Sequence, residues 1–290
     1  MRICIGKRER LTKFGALGIM RENSISYREK TMIKAAFFDL DGTLVSHEGF
    51  CTPAVQAALR RLQEKGILIC AATGRSPYEL AITGMTEGVD FDGIVSLNGQ
   101  LCYDKNGVIH RQLFDKEDLK RLIAQTKVTP FAFMVVEQES MYINFVDDYV
   151  RAALQAIHTP LPEVRDMTDV PERDILLAMA YLPQKETQEW VLPVLKNSQV
   201  TRWNQYGVDI VPKGCSKRTG IEKVLEKYNI TWENVIAFGD GENDYEMLKY
   251  AKYGVAMGNS DPILLTGEFT VTESAAQDGV VLALKQFDLI

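Results

Sequence analysis

The residues best suited to chemistry in this chain are acids that close apolar runs. Ala35-Ala36-Phe37-Phe38 leads directly into Asp39-Leu40-Asp41-Gly42-Thr43-Leu44-Val45. Side chains alternate along a strand, so Asp39 and Asp41 leave on one side while Leu40 turns back into the core. Two ionised carboxylates at a buried strand end need a counter-charge, because desolvation otherwise penalises them or forces them neutral. A divalent metal would supply it; the alternative is a turn of solvated acids with a glycine at positive φ. A second acidic loop, Gly239-Asp240-Gly241-Glu242-Asn243-Asp244, tops the apolar run Val235 to Phe238. Its glycines permit a tight turn, and Asp240 and Asp244 can face the same cleft as Asp39. The spacing Gly239-x-Gly241-x-x-Asp244 is not a dinucleotide fingerprint, since an anion site would not place acids there. The chain also has no GxxxxGK[ST] loop.

These loops need a scaffold, and the pattern from Lys34 onward provides one. Ala35 to Phe38 reads as a buried strand, followed by a helix over Pro53 to Lys65 with Thr52 as its cap and Gly66 as its stop. Ile67 to Ala71 is the next strand, broken by Thr73-Gly74-Arg75, and Ser76-Pro77 opens another helix. Ile94 to Leu97 is a third strand, ending at Asn98-Gly99. Such βαβαβ order predicts an α/β fold, a parallel sheet with helices on both faces. Ligands bind beyond the carboxyl ends of such strands, which places Asp39, Asp41, Thr73 and Asn98 on the binding rim. Parallel order resumes late in the chain, where Ser216 can cap a helix from Lys217 to Tyr228.

Between these halves the pattern changes. A hairpin is expected at Leu101 to Tyr103 and Val108 to Arg111, and a helix near Lys116 to Thr126. Strands follow at Phe131 to Glu137 and Met141 to Phe145, with a helix from Asp147 to about Ile157. A strand at Ile175 to Tyr181, a helix near Glu186 to Lys196, and strands at Val200 to Trp203 and Val208 to Val211 complete the segment. The expectation is an inserted α+β domain over 115–211, with the main domain formed by 32–114 and 212–290.

Composition narrows the class. The 290 residues, 46% hydrophobic and 25% charged, suit one large or two ordinary domains with a sizeable core. No apolar run approaches the ~18 residues that cross a bilayer, so no membrane role is expected. Cys4, Cys51, Cys70, Cys102 and Cys215 are scattered and never spaced as CxxC, which suggests neither disulfides nor zinc and points to the reducing cytoplasm. His47, His110 and His158 are too far apart to suggest a histidine metal site. Residues 1–31 carry eight Lys/Arg against three Glu, a net +5 that leaves −11 for the rest of a chain totalling −6. This basic N-terminal extension is expected to be a flexible arm, or to lie upstream of a native start at Met32. The acidic remainder argues against nucleic-acid partners.

Four motifs occur in order: Asp39-x-Asp41-Gly42-Thr43-Leu44, Thr73-Gly74-Arg75, Lys217 within Pro212-Lys213-Gly214-Cys215-Ser216-Lys217, and Gly239-Asp240-Gly241-x-Asn243-Asp244-x-x-Met247. Together they resemble those of the haloacid dehalogenase-like hydrolases, in particular the Cof-type phosphatases with a type IIB cap. The likeness runs from about Met32 to the C-terminus. It departs from the family in the basic leader and in Arg218, where a glycine is common. The resemblance implies a Rossmann-like core with 115–211 as the cap. It also implies Asp39 as nucleophile, Asp41 as general acid and base, and Lys217 as the cation that offsets charge. Mg²⁺ would be held by Asp39, the backbone carbonyl of Asp41, and Asp240. Thr73, the Gly74 amide and Asn243 would contact phosphate, and Asp244 would orient Lys217 or the waters of the metal.

Plainer roles compete for several of these residues. Thr73 could be a helix capper at a strand end, Lys213 could replace Lys217, and Asn243 and Asp244 could cap a helix. Arg75 is read as structural or exposed, Trp203, Tyr206 and Met134 as cap core, and Asp147-Asp148 as a helix cap. The implied function is Mg²⁺-dependent hydrolysis of a small phosphorylated metabolite, a sugar phosphate or a cofactor such as pyridoxal phosphate or FMN, by a monomer or homodimer. A phosphomannomutase-like phosphotransferase and a catalytically silent binding module are the alternatives.

Overall fold

The computed structural model describes residues 32–46, 49–157 and 159–290, so the expected extension over 1–31, with His47 and His158, lies outside the described residues. In chain order the strands are β1 (Ala35–Phe38), β2 (Leu68–Ala72), β3 (Gly93–Ser96), β4 (Leu101–Asp104), β5 (Gly107–Arg111), β6 (Ala132–Val136) and β7 (Met141–Ile143). They continue with β8 (Glu163–Val164), β9 (Leu177–Tyr181), β10 (Ser198–Arg202), β11 (Gly207–Pro212), β12 (Val235–Gly239), β13 (Tyr253–Ala256) and β14 (Thr270–Val271). The main sheet has the order β14-β13-β12-β1-β2-β3-β4-β5. Its pairings are parallel from β14 through β3, and the hairpin β4/β5 extends it antiparallel.

All four side chains of β1 are buried because helices cover both faces of the sheet. Ala36 and Phe38 pack with Leu59 and Leu62 of helix Pro53–Glu64 and with Leu284 of helix Gly279–Gln286. Ala35 and Phe37 face the other way, toward Ile221 and Val224 of helix Lys217–Tyr228 and Met247 of helix Tyr245–Tyr250. Register then sets the site. Phe38 pairs with Phe238 on one side and Ala71 on the other, and the two phenyl rings stack at 5.0 Å. The loops beginning at Asp39, Gly239 and Thr73 therefore leave the sheet side by side.

A second sheet, ordered β10-β11-β9-β6-β7-β8, is antiparallel except for the β7/β8 pair. Helix Lys116–Val128 covers one face through Leu119 and Leu122 against Phe133, Val135 and Ile210. The opposite face carries Met134, Met179, Tyr181 and Val211, and packs with Leu97 and Leu101 of the main-sheet region. The helix expected near Glu186 to Lys196 does not form as one unit. The chain instead makes a short helix at Gln184–Glu186, a wide turn at Thr187–Val191 and a 3₁₀ turn at Leu192–Val194. Pro193 has no N–H to donate and its ring clashes with the preceding turn of a helix. Among the described residues, no helix is long and apolar enough to cross a membrane.

Candidate active site

Lys217 lies at the centre of the acidic loops. Ser216 caps its helix, accepting from the Thr219 N–H, and so fixes Lys217 as the first helical residue. The ammonium is 1% exposed and donates to Asp39 Oδ1 and Asp244 Oδ1, each at 2.6 Å. Burial alone would drive its pKa down, but Asp244 and Asp39 outweigh that and hold it above the ordinary lysine value. Lys213, the competing cation, instead bonds the Lys196 carbonyl.

Asp244 is fully buried and its oxygens are committed. Oδ2 accepts from the backbone N–H groups of Asp240 and Gly241, both at 2.9 Å, which closes the loop after β12 on itself. Asp240 is held in turn by Thr43, whose hydroxyl donates to its Oδ1 at 2.8 Å, and by the Asn259 amide at 3.3 Å. Gly42, at φ +78°, lets the first loop pass against Asp240, since a Cβ there would lie 2.2 Å from Asp240 Oδ2.

Oxygens of Asp39, Asp240 and Asp244 lie within 4.8 Å of one another. Burial pushes Asp39 well above the ordinary carboxylate range; Lys217 pulls it back, and Asp244, Asp240 and Asp41 add to the rise. Burial and Asp244 likewise push Asp240 up to about 7, against the hydrogen bond from Thr43. One ammonium thus leaves this acid group short of positive charge. An all-oxygen donor set with surplus negative charge fits a hard divalent cation. Asp39 and Asp240 have oxygen to offer it, whereas Asp244 is already occupied by Lys217 and two amides.

The side chain of Asp41 turns away from that cluster to Arg75. Arg75 Nε and Nη2 donate to the two Asp41 oxygens, both at 2.7 Å. The guanidinium also donates to the Ile157 carbonyl at 2.8 Å and to the Thr159 hydroxyl at 3.0 Å. Of the two readings of Arg75, structural or exposed, the structural one holds: it is 5% exposed, and it ties the first acidic loop to the segment after helix Asp148–Ala156. Only its place in the run Thr73-Gly74-Arg75 could have signalled this. Thr73 Oγ1 accepts from the Arg75 N–H at 3.1 Å, whereas the helix that follows is capped by Ser76, so Thr73 is not its cap. Asp147 caps its helix as expected, through Val150 N.

Asp39, Asp41, Thr73, Gly74, Asp240 and Asn243 all line one cleft of about 1780 Å³ between the two sheets, with Lys217 and Asp244 beneath its floor. Opposite them the second sheet and its helices contribute Leu154, Ile157, Met179, Tyr181, Trp203 and Asp209. Trp203 thus both packs in the core, where it was expected, and faces the cleft. The sequence reading did not single out Thr43 or Asp209, and it placed Asn98 on the binding rim without a chemical role.

Comparison with known proteins agrees with this geometry. Residues 36–284 match the model of the haloacid dehalogenase-like hydrolases. YkrA of Bacillus subtilis is 28% identical over 258 residues, spanning 89% of this chain and 98% of YkrA. Among solved structures, the haloalkanoate-superfamily phosphatase BT1666 of Bacteroides thetaiotaomicron superimposes with a TM-score of 0.83 at 30% identity, covering 92% of this chain and all of that one. The subclass IIB sugar phosphatase BT4131 gives 0.79 at 28% identity, over 89% of this chain and all of its own. With most of its length matched and its acids gathered where such a fold gathers them, the chain belongs to the haloacid dehalogenase-like hydrolase family, as a phosphoric monoester hydrolase of the Cof-type, type IIB branch.

Proposed function

We propose that this hydrolase removes phosphate from small phosphorylated metabolites with Mg²⁺ as cofactor, through a phosphoryl group carried briefly on Asp39. The observation that carries the reading is the buried Lys217 held between Asp39 and Asp244, beside a second acid, Asp240, that still lacks a counter-ion. Asp39, the Asp41 backbone carbonyl and Asp240 would hold the metal. When bound, it offsets the charge of the substrate and of the acids it meets.

An oxygen of Asp39 attacks phosphorus while the bond to the leaving oxygen breaks, and Asp41 gives that oxygen its proton. Water then attacks the phosphoryl group on Asp39 and loses its proton to Asp41; inorganic phosphate leaves and both acids are restored. Between these transfers the charged form of Asp41 has Arg75 as its partner. Thr73, the Gly74 amide and Asn243 donate to the phosphoryl oxygens, and Lys217 steadies the charge on Asp39.

Residues 115–211 serve as the cap, and its apolar wall of Leu154, Met179, Tyr181 and Trp203 suits a compact leaving group. Sugar phosphates, or a phosphorylated cofactor such as pyridoxal phosphate or FMN, are the substrate class, and BT4131, a sugar phosphatase, is similar in fold. Among the described residues the four cysteines are buried and form no disulfide, which supports work in a reducing compartment.

The test is hydrolysis of p-nitrophenyl phosphate by the full chain. Turnover is expected with Mg²⁺, loss of it with EDTA, and none from Asp39→Asn. Full activity in Asp39→Asn removes that residue as nucleophile, and full activity in EDTA removes the metal. A panel of phosphorylated metabolites then ranks leaving groups by kcat/KM.

A further inference from the structure

We propose that Asp209 is a positioning residue through which the second sheet sets the orientation of Asn243 in the phosphate site. The inference rests on reading Asn243 as a phosphate ligand. Asp209 lies on β11, opposite Met179, with neighbours Val208 and Ile210 buried on the far face and its own side chain on the face toward the cleft. It is 4% exposed, an unusual place for an acid with no cation bonded to it. Its Oδ2 accepts from Asn98 Nδ2 at 2.7 Å, and Asn98 Oδ1 accepts from Asn243 Nδ2 at 3.0 Å. Three side chains from three separate loops and strands thus form one line from the second sheet to the acidic loop after β12.

The backbone keeps this line in place. Asn98 sits at φ +52°, a left-handed conformation that Asn tolerates far better than most residues, and its own N–H donates to the Thr73 carbonyl at 3.0 Å. Gly74 lies directly against it. A Cβ there would be 3.3 Å from Asn98 Nδ2 and 3.5 Å from Asp209 Oδ2, so the line passes behind the peptide whose amide faces the cleft.

Hydrogen-bond polarity gives the line its consequence. The acceptor at Asp209 Oδ2 requires Asn98 to point its NH₂ toward the second sheet and its oxygen toward Asn243. Asn243 must then present its own NH₂, which gives one N–H to Asn98 and keeps the second for the cleft. Without the acceptor at 209, the Asn98 amide can turn over and offer an N–H instead. Asn243 would answer with its oxygen, and an acceptor would face the phosphate. Burial and the nearby Glu79 push Asp209 up to about 8; the proton of its neutral form belongs on Oδ1, because Oδ2 is the oxygen to which the Asn98 amide donates. An asparagine can reproduce that acceptor. The Trp203 indole lies close enough to lower the Asp209 pKa but makes no well-formed hydrogen bond with it, so Oδ2 carries the side-chain bond that Asp209 accepts.

The experiment measures binding of inorganic phosphate to the full chain, by product inhibition and by thermal shift. Asp209→Leu is expected to weaken phosphate about three- to tenfold, the range of one ordinary hydrogen bond, with a modest loss of stability because the buried Asn98 amide loses its acceptor. Asp209→Ala reads the same effect should the leucine not fold. Asp209→Asn is expected to stay within about twofold of wild type, because it retains the acceptor. In an Asn243→Ala background, Asp209→Leu should add nothing further, since the residue acts only through Asn243. Unchanged phosphate affinity in Asp209→Leu overturns the proposal. So does an Asp209→Asn variant as weak as Asp209→Leu, or additivity in the double variant. Wild type that binds phosphate in this pattern yet turns over no phosphate ester would leave the inference standing and remove the phosphatase reading.

Discussion

Lys217→Met replaces the buried ammonium with an apolar chain of similar length and leaves two buried acids without their cation. Asp39 loses the partner of its Oδ1, and Asp244 keeps only the two amides on Oδ2. Removing one member of a buried ion pair typically costs about 3–5 kcal/mol, because the remaining charge stays desolvated. That range is expected in EDTA at pH 7.5. The cost should shrink toward pH 5. Asp39 and Asp240 already have folded-state pKa values raised by burial, and without Lys217 the site favours their neutral forms further as protons become available. Lys217 itself stays charged across this window, since its folded value is raised and its contribution is lost only in strong base. Mg²⁺ should recover part of the loss, because any ligand held at 100 times its Kd adds about 2.7 kcal/mol to the state that binds it. The assay is urea unfolding followed by tryptophan fluorescence, with Trp232, its ring tilted against Tyr250 beside the main sheet, reporting on the half that holds the site. A loss below about 1 kcal/mol, or one identical at pH 5 and 7.5, would refute the charge accounting.

Three further outcomes follow from single contacts. Gly42→Ala must strain a φ of +78° and push against Asp240 Oδ2, so the Mg²⁺ concentration needed for half-maximal turnover should rise at least about tenfold, with roughly 1–3 kcal/mol lost in stability; an unchanged metal titration counts against the placement of Asp240. Arg75→Met removes the fork on Asp41 and the link to Ile157 and Thr159, and kcat/KM should fall about tenfold or more, with Arg75→Lys recovering little because a point charge cannot hold both oxygens. Asp209 keeps its proton in the folded state up to about 8, whereas the unfolded chain releases it near pH 4, so its contribution to stability falls as pH rises between those values and is flat above; urea midpoints from pH 5 to 9 should show a shallower decline in Asp209→Asn.

Legibility in the sequence followed the range of the determining contacts. Asp39, Asp41 and Asp240 could be read directly because each lies in a short run whose strand, turn and glycines are all local. The side-by-side emergence of those runs followed from parallel α/β order alone. Arg75 was left between a structural and an exposed role because its partners are a residue 34 positions earlier and a segment 82 to 84 positions later, and no local period encodes either. Asp209 was passed over because in sequence it looks like the outward residue of an alternating strand. The outward side of β11 turns out to face the other sheet. The helix expected near Glu186 to Lys196 forms over 184–194 but changes its hydrogen-bond pattern along the way, for a reason the sequence did contain, the proline at 193.

The pairing of β1 with β12 has a consequence for the making of the protein. The central strand of the main sheet waits for a partner 200 residues downstream, and Lys217 and Asp240 arrive with that same late stretch. A chain emerging from the ribosome therefore exposes Asp39 and the unpaired edge of β1 through most of its synthesis. The ion pair of Lys217 with Asp39 cannot form during that time, and the growing chain depends on other means to keep that edge from pairing with a neighbour.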